Sequence, residues 1–274
     1  MLANKKRKKH RFLTFIIIVI ILGVVWWINT FMLTTTEVTI EDNEIHDDIT
    51  IVQLTDLHGS TFGRDNKALI RRVEKAEPDI VVVTGDMYSA GSERGREVAV
   101  NLLGKLAEKY PVYAINGEHD NDNHYFEMLE NVGVDVLEYE SRDINIGSTT
   151  LCLYGITNVY YTPTFDLANE FTLDRSKYNI LLAHADNFDA FADFGMDLTI
   201  CGDTHGGQVR LPWAGALINK GIWFPERLGE EEVGYVKGLF EKDGSHLFVS
   251  SGLGNYPVPI RFMNMPEVAV IHLK

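Results

Sequence analysis

The stretch that decides the fold is residues 80–86, which read Ile80-Val81-Val82-Val83-Thr84-Gly85-Asp86. A run of β-branched residues without polar alternation is typical of a strand buried on both faces, as in a parallel sheet. Helical periods lie on either side of it, near residues 66–76 and 93–109, and Pro78-Asp79 precedes it. The order helix, buried strand, helix predicts βαβ units and therefore a largely parallel sheet.

The same alternation continues along most of the chain. Strands outnumber helices in the last third, which favours two sheets packed face to face with helices outside, in the α/β class. Another helix is predicted at residues 121–131, and further strands at residues 48–54, 112–115, 134–138, 143–146, 150–155, 179–183, 197–201, 236–241, 246–250 and 268–273.

The first 33 residues differ in composition from the rest. Six Lys and Arg residues and no acid fall within residues 1–11, and residues 12–33 carry no charge. As a helix, these 22 uncharged residues extend about 33 Å, enough to cross a hydrocarbon core of roughly 30 Å. The positive charge predicts a cytoplasmic amino terminus, and Trp26 and Trp27 suit the opposite interface. We therefore expect a single-pass cell-membrane protein whose remainder lies outside the cytoplasm.

Two other interpretations of this segment stay open. A cleaved signal peptide also has a basic region followed by an apolar one, although residues 30–36 offer no Ala-x-Ala-like cleavage site. A helix in a soluble core is the second alternative, and the flanking charge disfavours it. The chain then divides into a cytoplasmic basic tail (1–11), a transmembrane anchor (12–33), a Thr-rich linker or opening strand (34–45) and a folded domain (46–274).

Charge and cysteine content narrow the function classes. Beyond residue 11, 19 basic residues stand against 39 acidic ones, a net charge of −20. Such a domain repels nucleic-acid backbones, so we expect no nucleic-acid partner, and a nuclease is disfavoured. Cys152 and Cys201 lie within apolar runs, which is typical of small buried hydrophobes, and no disulfide is indicated.

Metal-ligand residue types recur where five of the predicted strands end. The carboxyl ends of parallel strands are where open α/β sheets place their sites. In Asp-x-His, residues i and i+2 of an extended chain point to the same side, so both can reach one ion. A single strand-end Asp is usually a turn or cap residue, but five clusters in order are hard to attribute to chance. They are Asp56-Leu57-His58, Gly85-Asp86, Gly117-Glu118-His119-Asp120, His184, and Gly202-Asp203-Thr204-His205-Gly206-Gly207.

This series resembles the calcineurin-like metallophosphoesterase family, whose pattern is Asp-x-His, Gly-Asp, Gly-Asn-His-Asp/Glu, His and Gly-His-x-His. Residues 251–254 and 259–262 add a carboxyl-terminal match, Ser-Gly-Leu-Gly and Pro-Ile-Arg-Phe. Gly206-Gly207-Gln208 and the amino-terminal anchor are similar to the membrane-associated bacterial branch. The resemblance implies a four-layer α-β-β-α sandwich of two mixed sheets and metal-dependent hydrolysis of a phosphate ester.

The resemblance also implies roles for individual residues. His119 would face the phosphate, stabilising charge or protonating the leaving oxygen, and Asp120 would orient its ring. Two divalent ions can clamp an in-line displacement and lower the pKa of a water to make a hydroxide nucleophile. The implied metal ligands are Asp56, His58 and His205 for one ion, Asp86 as the bridge, and His184, Glu118 and Asp203 for the second ion.

Two positions depart from the family's pattern. Glu118 stands where the pattern has Asn, and Asp203 stands where it has the first His of Gly-His-x-His. Hard oxygen ligands favour Mn²⁺, with Fe, Mg²⁺, Ca²⁺ and Zn²⁺ as alternatives. The added negative charge predicts weaker Lewis acids and a slower or metal-selective enzyme. The alternative is a catalytically silent envelope-binding relative that retains one metal.

The expected substrate is a phosphodiester or pyrophosphate-type compound. A lipid-linked or envelope precursor is suggested by the anchor and the resemblance alone. Arg210 and Arg261 are candidates for phosphate contact, and His124 either lines the pocket or, as is more common, lies on the surface. The apolar residues 211–218 and 222–225 are expected either to contact lipid or an acylated substrate, or to pack on the core.

Overall fold

The computed structural model describes residues 2–157, 166–229 and 234–274. The helices in these ranges are α1 (Leu2–Phe31), α2 (Lys67–Lys75), α3 (Glu93–Ala107), α4 (Asn123–Asn131) and α5 (Phe188–Phe194). The strands are β1 (Thr34–Ile40), β2 (Ile49–Leu54), β3 (Ile80–Thr84), β4 (Val112–Ile115), β5 (Asp135–Val136), β6 (Glu140–Ile146), β7 (Thr149–Gly155), β8 (Tyr178–Leu182), β9 (Leu198–Cys201), β10 (Arg210–Leu211), β11 (Gly215–Ala216), β12 (Ile218–Asn219), β13 (Ile222–Trp223), β14 (Gly238–Lys242), β15 (Ser245–Val249) and β16 (Glu267–Leu273).

Two six-stranded sheets carry the fold, and both are mixed. The first has the order β1-β16-β2-β3-β4-β5, in which β2 to β5 run parallel and β16 is antiparallel to β2. The second has the order β14-β15-β9-β8-β7-β6, with parallel central strands and an antiparallel strand at each edge. The hairpins β10-β11 and β12-β13 stand apart from both sheets.

Strand β3 shows why the sheets stack in four layers. Val81 and Val83 pack in the core beneath helices α2, α3 and α4, whereas Ile80 and Val82 pack between the two sheets. On the far face of the second sheet, Phe188 of α5 packs in a third apolar cluster. Because successive side chains of a strand point to opposite faces, a continuous apolar run fits a strand covered on both sides. The predicted α-β-β-α sandwich is confirmed.

Residues 34–40 form an edge strand of the first sheet. Strand β1 pairs in parallel with β16 along its whole length, from Thr34 opposite Glu267 to Ile40 opposite Leu273. Of the two alternatives for residues 34–45, the opening strand is therefore found at residues 34–40, and the linker interpretation is wrong there. β-Branched threonines suit an edge strand, since they fit a pleated, half-buried surface. The folded domain consequently begins at Thr34, earlier than predicted.

Helix α1 is continuous through both the basic tail and the apolar segment. It ends at Phe31, and Leu33 already packs against the core of the first sheet. Residues His10–Phe31 are long and apolar enough to cross a membrane, and none of their most apolar window is buried. That exposure disagrees with the soluble-core alternative. A membrane span and a signal sequence both fit a helix of this length and composition.

Helix α5 was not among the predicted elements. It has only seven residues, Phe188–Phe194, and ends at Gly195 with φ of 105°. Two turns are too few to establish a helical period in sequence. Helices α3 and α4, by contrast, begin at capping side chains, Ser92 and Asp122, that accept hydrogen bonds from backbone N–H groups of their first turns.

Candidate metal centre

All seven predicted metal ligands lie on loops that follow strands. Three loops belong to the first sheet and follow β2, β3 and β4, and two belong to the second sheet and follow β8 and β9. The carboxyl ends of both sheets meet at one edge of the sandwich, so the two sheets contribute to a single cluster. The residues brought there are Asp56, His58, Asp86, Glu118, His184, Asp203 and His205.

Three groups of side chains have ligand atoms within 4.8 Å of one another: Asp56, His58 and His205; Asp56, Asp86 and His184; and Asp86, Glu118 and His119. The first group is the set predicted for the first ion. Asp86 is shared by the other two and is central, because its Oδ2 lies 3.4 Å from His184 Nε2 and 3.8 Å from His58 Nε2. Asp56 is the residue shared by the first group and the His184 group, so the bridging role of Asp86 stays a prediction.

The second predicted ligand set is less compact than the first. Glu118 Oε1 lies 3.3 Å from His119 Nε2, so Glu118 groups with His119 instead of His184. Asp203 belongs to none of the three groups found in the described ranges. Its Oδ1 is 4.0 Å from His184 Nε2, while its Oδ2 is 2.7 Å from Lys220 Nζ. Glu118 and Asp203, the two residues that depart from the family's pattern, therefore line the cavity but lie closest to His119 and Lys220.

Lys220 is a residue of the site that sequence reasoning missed. It lies between β12 and β13, and its Nζ is also 3.2 Å from Asp186 Oδ1. Burial lowers the pKa of its ammonium, but Asp203 and Asp186 outweigh burial and hold that pKa above its ordinary value. The only local signal was an Asn219-Lys220-Gly221 turn, which predicts an exposed tip.

His184 gives the clearest sign that the cluster fits a cation. The ring is buried, and its Nδ1 donates to the carbonyl oxygen of Thr84 at 2.7 Å, because a carbonyl can only accept. Nε2 has no hydrogen-bond partner among the described residues and faces Asp86. A buried ring nitrogen aimed at carboxylates, with its other nitrogen fixed by a backbone carbonyl, is the arrangement of a metal-ligating histidine.

The protonation states of the histidines follow from their surroundings. Burial lowers the pKa of His58 to about 4, and burial together with the charge of Arg261 keeps the pKa of His205 well below its ordinary value. Both are therefore neutral, which is the ligating form. For His184, burial opposes protonation, but Asp86, Asp56 and Asp203 raise its pKa to about 10. A cation bound there would replace that proton.

Arg261 and Arg210 do not contact the cavity as predicted. Arg261 is 1% exposed and donates to the carbonyl oxygens of Ser251 and Gly254. Its Nη2 also lies 3.5 Å from His205 Nδ1. Arg210 pairs with Glu226 at 2.8 Å. Neither residue lines the cavity in the described ranges, so the structure gives no support to the predicted phosphate contact of either. His124, with a side chain 63% exposed, has the surface role.

Asp120 has a structural role beside the site. It is fully buried, and its two oxygens accept hydrogen bonds from the backbone N–H groups of Met87 at 2.7 Å and Gly117 at 2.6 Å. Each of these oxygens can accept a second hydrogen bond, and none joins Asp120 to His119 in the described ranges, so the predicted orienting role stays a prediction. Asp120 joins the loops after β3 and β4, which carry Asp86 and Glu118.

The backbone at the site is turned and not extended. Five residues have positive φ, in the left-handed region that non-glycine residues rarely adopt, and Asp and His are among the side chains that tolerate it best. The expectation that Asp-x-His reaches one ion through strand alternation is therefore wrong, because a turn brings the side chains together. Such strain is typical of functional sites. The residues are Asp56 (51°), His58 (48°), Asp86 (56°), Asp203 (70°) and His205 (50°).

A cavity of about 470 Å³ at the metal centre is lined by both polar and apolar side chains. Its size suits a small-molecule site. Lys220 is the only Lys or Arg that lines it within the described ranges. The polar part of its lining, here named the polar wall, consists of His58, Asp86, Glu118, His119, Asp203 and Lys220. The apolar part, here named the apolar wall, includes Leu217, Ile218, Tyr256, Pro257, Val258 and Ile260.

Several known proteins are similar to this chain in sequence or in fold. The chain is 29% identical over 265 residues to the uncharacterized metallophosphoesterase YkuE of Bacillus subtilis, covering 92% of this chain and 89% of YkuE. It is 28% identical over 234 residues to the phosphodiesterase YaeI of Escherichia coli, covering 81% of each chain. Among solved structures, phosphopantetheinyl hydrolase from Mycobacterium tuberculosis overlaps with a TM-score of 0.44 at 11% identity, covering 75% of this chain and 89% of that one.

A sequence profile of the calcineurin-like phosphoesterase family matches residues 49–207. That range is more than half of the chain and holds every strand-end cluster, from Asp56 to His205. The chain therefore belongs to the calcineurin-like phosphoesterase family and is a metal-dependent phosphoric ester hydrolase.

Proposed function

We propose that this protein hydrolyses a phosphodiester or pyrophosphate-type bond at the outer surface of a cell membrane, anchored by α1 with its amino terminus in the cytoplasm. The observation that carries the proposal is that Asp86 belongs to two groups of candidate ligands and also lines the cavity. The similarity to a phosphodiesterase supports the diester. The charge asymmetry around α1 supports the topology.

The residues divide into two candidate metal positions. Members of the family typically hold two metal ions. Asp56, His58 and His205 would hold the first and Asp86 would be shared, with His184, Glu118 and Asp203 available to the second. Divalent ions at these positions supply Lewis acidity and lower the pKa of water. The oxygen-rich donor set favours Mn²⁺ over Zn²⁺ at the second position.

His119 and Lys220 are the groups we assign to the phosphate. The His119 ring lines the cavity and packs against Tyr256 at 4.4 Å between ring centroids, while its backbone N–H donates to Asp86 Oδ1 at 2.9 Å. Held in this way, its Nε2 can donate a proton to the leaving oxygen. Lys220 lines the same cavity, and its ammonium would attract the phosphate oxygens.

A silent, envelope-binding relative with one metal is the second candidate. The ion pair of Asp203 with Lys220 favours it, because a carboxylate held by an ammonium is a poorer metal ligand. The convergence of Asp203, Glu118 and Asp86 on one cavity supports catalysis instead.

Turnover of bis-p-nitrophenyl phosphate by the full chain in detergent separates the two candidates. We expect activity with Mn²⁺ exceeding that with Mg²⁺, Ca²⁺ or Zn²⁺, and a loss on the order of 100-fold in Asp86→Asn. Elemental analysis should find two ions per chain. One bound ion together with no turnover on any metal would leave only the silent candidate.

A further inference from the structure

The anchor helix is hydrogen-bonded to a loop of the catalytic domain, residues 255–263, here named the wall loop. Trp26 lies one turn before both Asn29 and Thr30, so the three helix side chains that make the bonds fall on the same side of α1. All three bonds connect the last two turns of α1 to the loop. They join Trp26 Nε1 to the carbonyl oxygen of Pro259 (2.9 Å), Met263 N to Asn29 Oδ1 (2.7 Å), and Arg261 N to Thr30 Oγ1 (3.3 Å).

These contacts set the depth of the wall loop relative to a membrane. Trp26 precedes the helix end at Phe31 by five residues, about 7.5 Å along the axis. Tryptophans near the end of a spanning helix lie at headgroup level. Since Pro259 is bonded to Trp26, the wall loop lies beside the segment of α1 that occupies the outer interface when the helix spans a bilayer.

The wall loop also faces the metal centre. Tyr256, Pro257, Val258 and Ile260 form part of the apolar wall of the cavity. The Tyr256 ring stacks on His58 with centroids 4.8 Å apart and planes 15° apart. The same nine residues therefore contact the anchor on one side and a candidate metal ligand on the other.

Exposed apolar side chains concentrate in the part of the chain that includes the wall loop, and four of them line the cavity. Beyond residue 33, ten large hydrophobic side chains are exposed in the described ranges, and nine of them fall within residues 213–263. Scattered exposed hydrophobics are normal, but a cluster beside a cavity marks a surface that binds something apolar. The nine are Trp213, Ile218, Trp223, Leu228, Tyr256, Val258, Ile260, Phe262 and Met263.

We propose that this apolar face rests on the bilayer and that the cavity takes a phosphate ester with a long alkyl or acyl chain, drawn directly from the outer leaflet. This inference rests on the proposed function and names its substrate class. The polar wall receives the phosphate, and the apolar wall receives the first methylene groups of a chain that otherwise stays in lipid. Continuity of the wall loop with the anchor identifies the bilayer as the occupant of the face.

Two diesters with the same leaving group test the substrate class. In hexadecyl and methyl p-nitrophenyl phosphate, a water oxygen bonds to phosphorus, the bond to p-nitrophenolate breaks with its electron pair, and the water protons pass to solvent. With the full chain in phosphatidylcholine vesicles and Mn²⁺, we expect kcat/KM for the hexadecyl ester to be at least about tenfold higher. Burial of two methylene groups suffices for that ratio.

A paired variant outside the cavity lining serves as the control. Trp213→Asp with Trp223→Asp should abolish most of the chain preference and leave the methyl ester within about twofold of wild type, because both side chains are exposed and neither lines the cavity. Equal kcat/KM for the two esters in wild type would overturn the lipid substrate and leave the phosphodiesterase proposal intact. No turnover of either ester would instead count against the proposed function.

A fluorescence measurement tests the bilayer contact without turnover. An environment-sensitive label on Met263→Cys should emit at shorter wavelength in vesicles than the same label on Val132→Cys, the exposed hydrophobic outside the cluster. The native thiols of Cys152 and Cys201 are buried, so labelling is selective. Water-like emission from position 263 would show that the face does not touch lipid and would overturn the proposal.

Discussion

Replacing Lys220 with Met should strengthen metal binding at the position that includes Asp203. In the wild type, Lys220 Nζ lies 2.7 Å from Asp203 Oδ2, while the other oxygen of Asp203 lies 4.0 Å from His184 Nε2. A bound divalent ion has to share this carboxylate with the ammonium and is repelled by it. The Met side chain removes the competing charge and keeps most of the apolar stem.

The size of the effect follows from the distance and the exposure. Two unit charges separated by 2.7 Å attract by about 1.5 kcal/mol in water and by more in a lower dielectric. The Lys220 side chain is 47% exposed, and exposed pairs are worth about 0.2–1 kcal/mol in practice. Taking about 1 kcal/mol, the dissociation constant of Mn²⁺ at this position should fall about fivefold.

Calorimetric titration of metal-free protein with Mn²⁺ measures this change, and two variants calibrate it. Lys220→Arg keeps the charge and should bind Mn²⁺ like the wild type. Lys242→Met breaks a pair of similar length, 2.6 Å to Asp189, that does not line the cavity, and should change nothing. The gain for Lys220→Met should shrink at high salt, because screening weakens the repulsion that it removes.

The same substitution should raise KM for a diester. Lys220 is the only Lys or Arg lining the cavity in the described ranges, so its loss removes an attraction for the phosphate. Tighter Mn²⁺ binding together with a higher KM would show that the Lys220 ammonium both competes with the metal for Asp203 and attracts the substrate phosphate. Unchanged or weaker Mn²⁺ binding in Lys220→Met would refute the reasoning, since Asp203 would then not be a ligand.

Three further predictions concern the pattern departures and two buried groups. Asp203→His combined with Glu118→Asn should raise kcat/KM on bis-p-nitrophenyl phosphate, and lower activity would mean that the carboxylates are working ligands. Mn²⁺ affinity should rise with pH over the whole range in which Mn²⁺ stays in solution, because the pKa of His184 is raised to about 10 and the ion must displace its proton; a flat profile by calorimetry would contradict this. Burial raises the pKa of Glu267, but Lys237 and hydrogen bonds outweigh burial and lower it. Glu267→Gln should therefore cost about 1.5–3 kcal/mol of unfolding free energy at pH 7. Because the wild-type advantage is lost as pH falls below 4.5 through the folded pKa, the two melting temperatures should converge there.

Sequence reasoning predicted the elements that depend on local pattern. Strand β3 was placed at its observed bounds, because a β-branched run closed by Gly85 leaves little freedom. The metal-ligand residues were also found from local pattern, because Asp and His residues follow the predicted strands directly in the sequence. By contrast, the contact of Lys220 with Asp203 joins residues 17 positions apart on separate loops. No local pattern indicates such a pairing.

The contacts of Asp120 and Arg261 were beyond sequence reasoning for a related cause. A residue type at a position can suggest a role, but which atoms that residue contacts depends on tertiary packing. Asp120 is occupied by two backbone N–H groups, and Arg261 by carbonyl oxygens. The positive φ values at Asp56 and His58 likewise arise from how the loops close over the sheet edge, which alternation along a strand does not predict.

The direct junction between α1 and β1 has a kinetic consequence. Only Met32 and Leu33 separate the helix from the first strand, and Leu33 already packs against the core. If α1 anchors the protein in a membrane, the cavity is held at one height above the lipid, and a lipid-linked substrate reaches it by lateral diffusion. The velocity of hydrolysis would then follow the surface mole fraction of substrate in the membrane, and adding lipid at constant substrate would slow it by dilution in two dimensions.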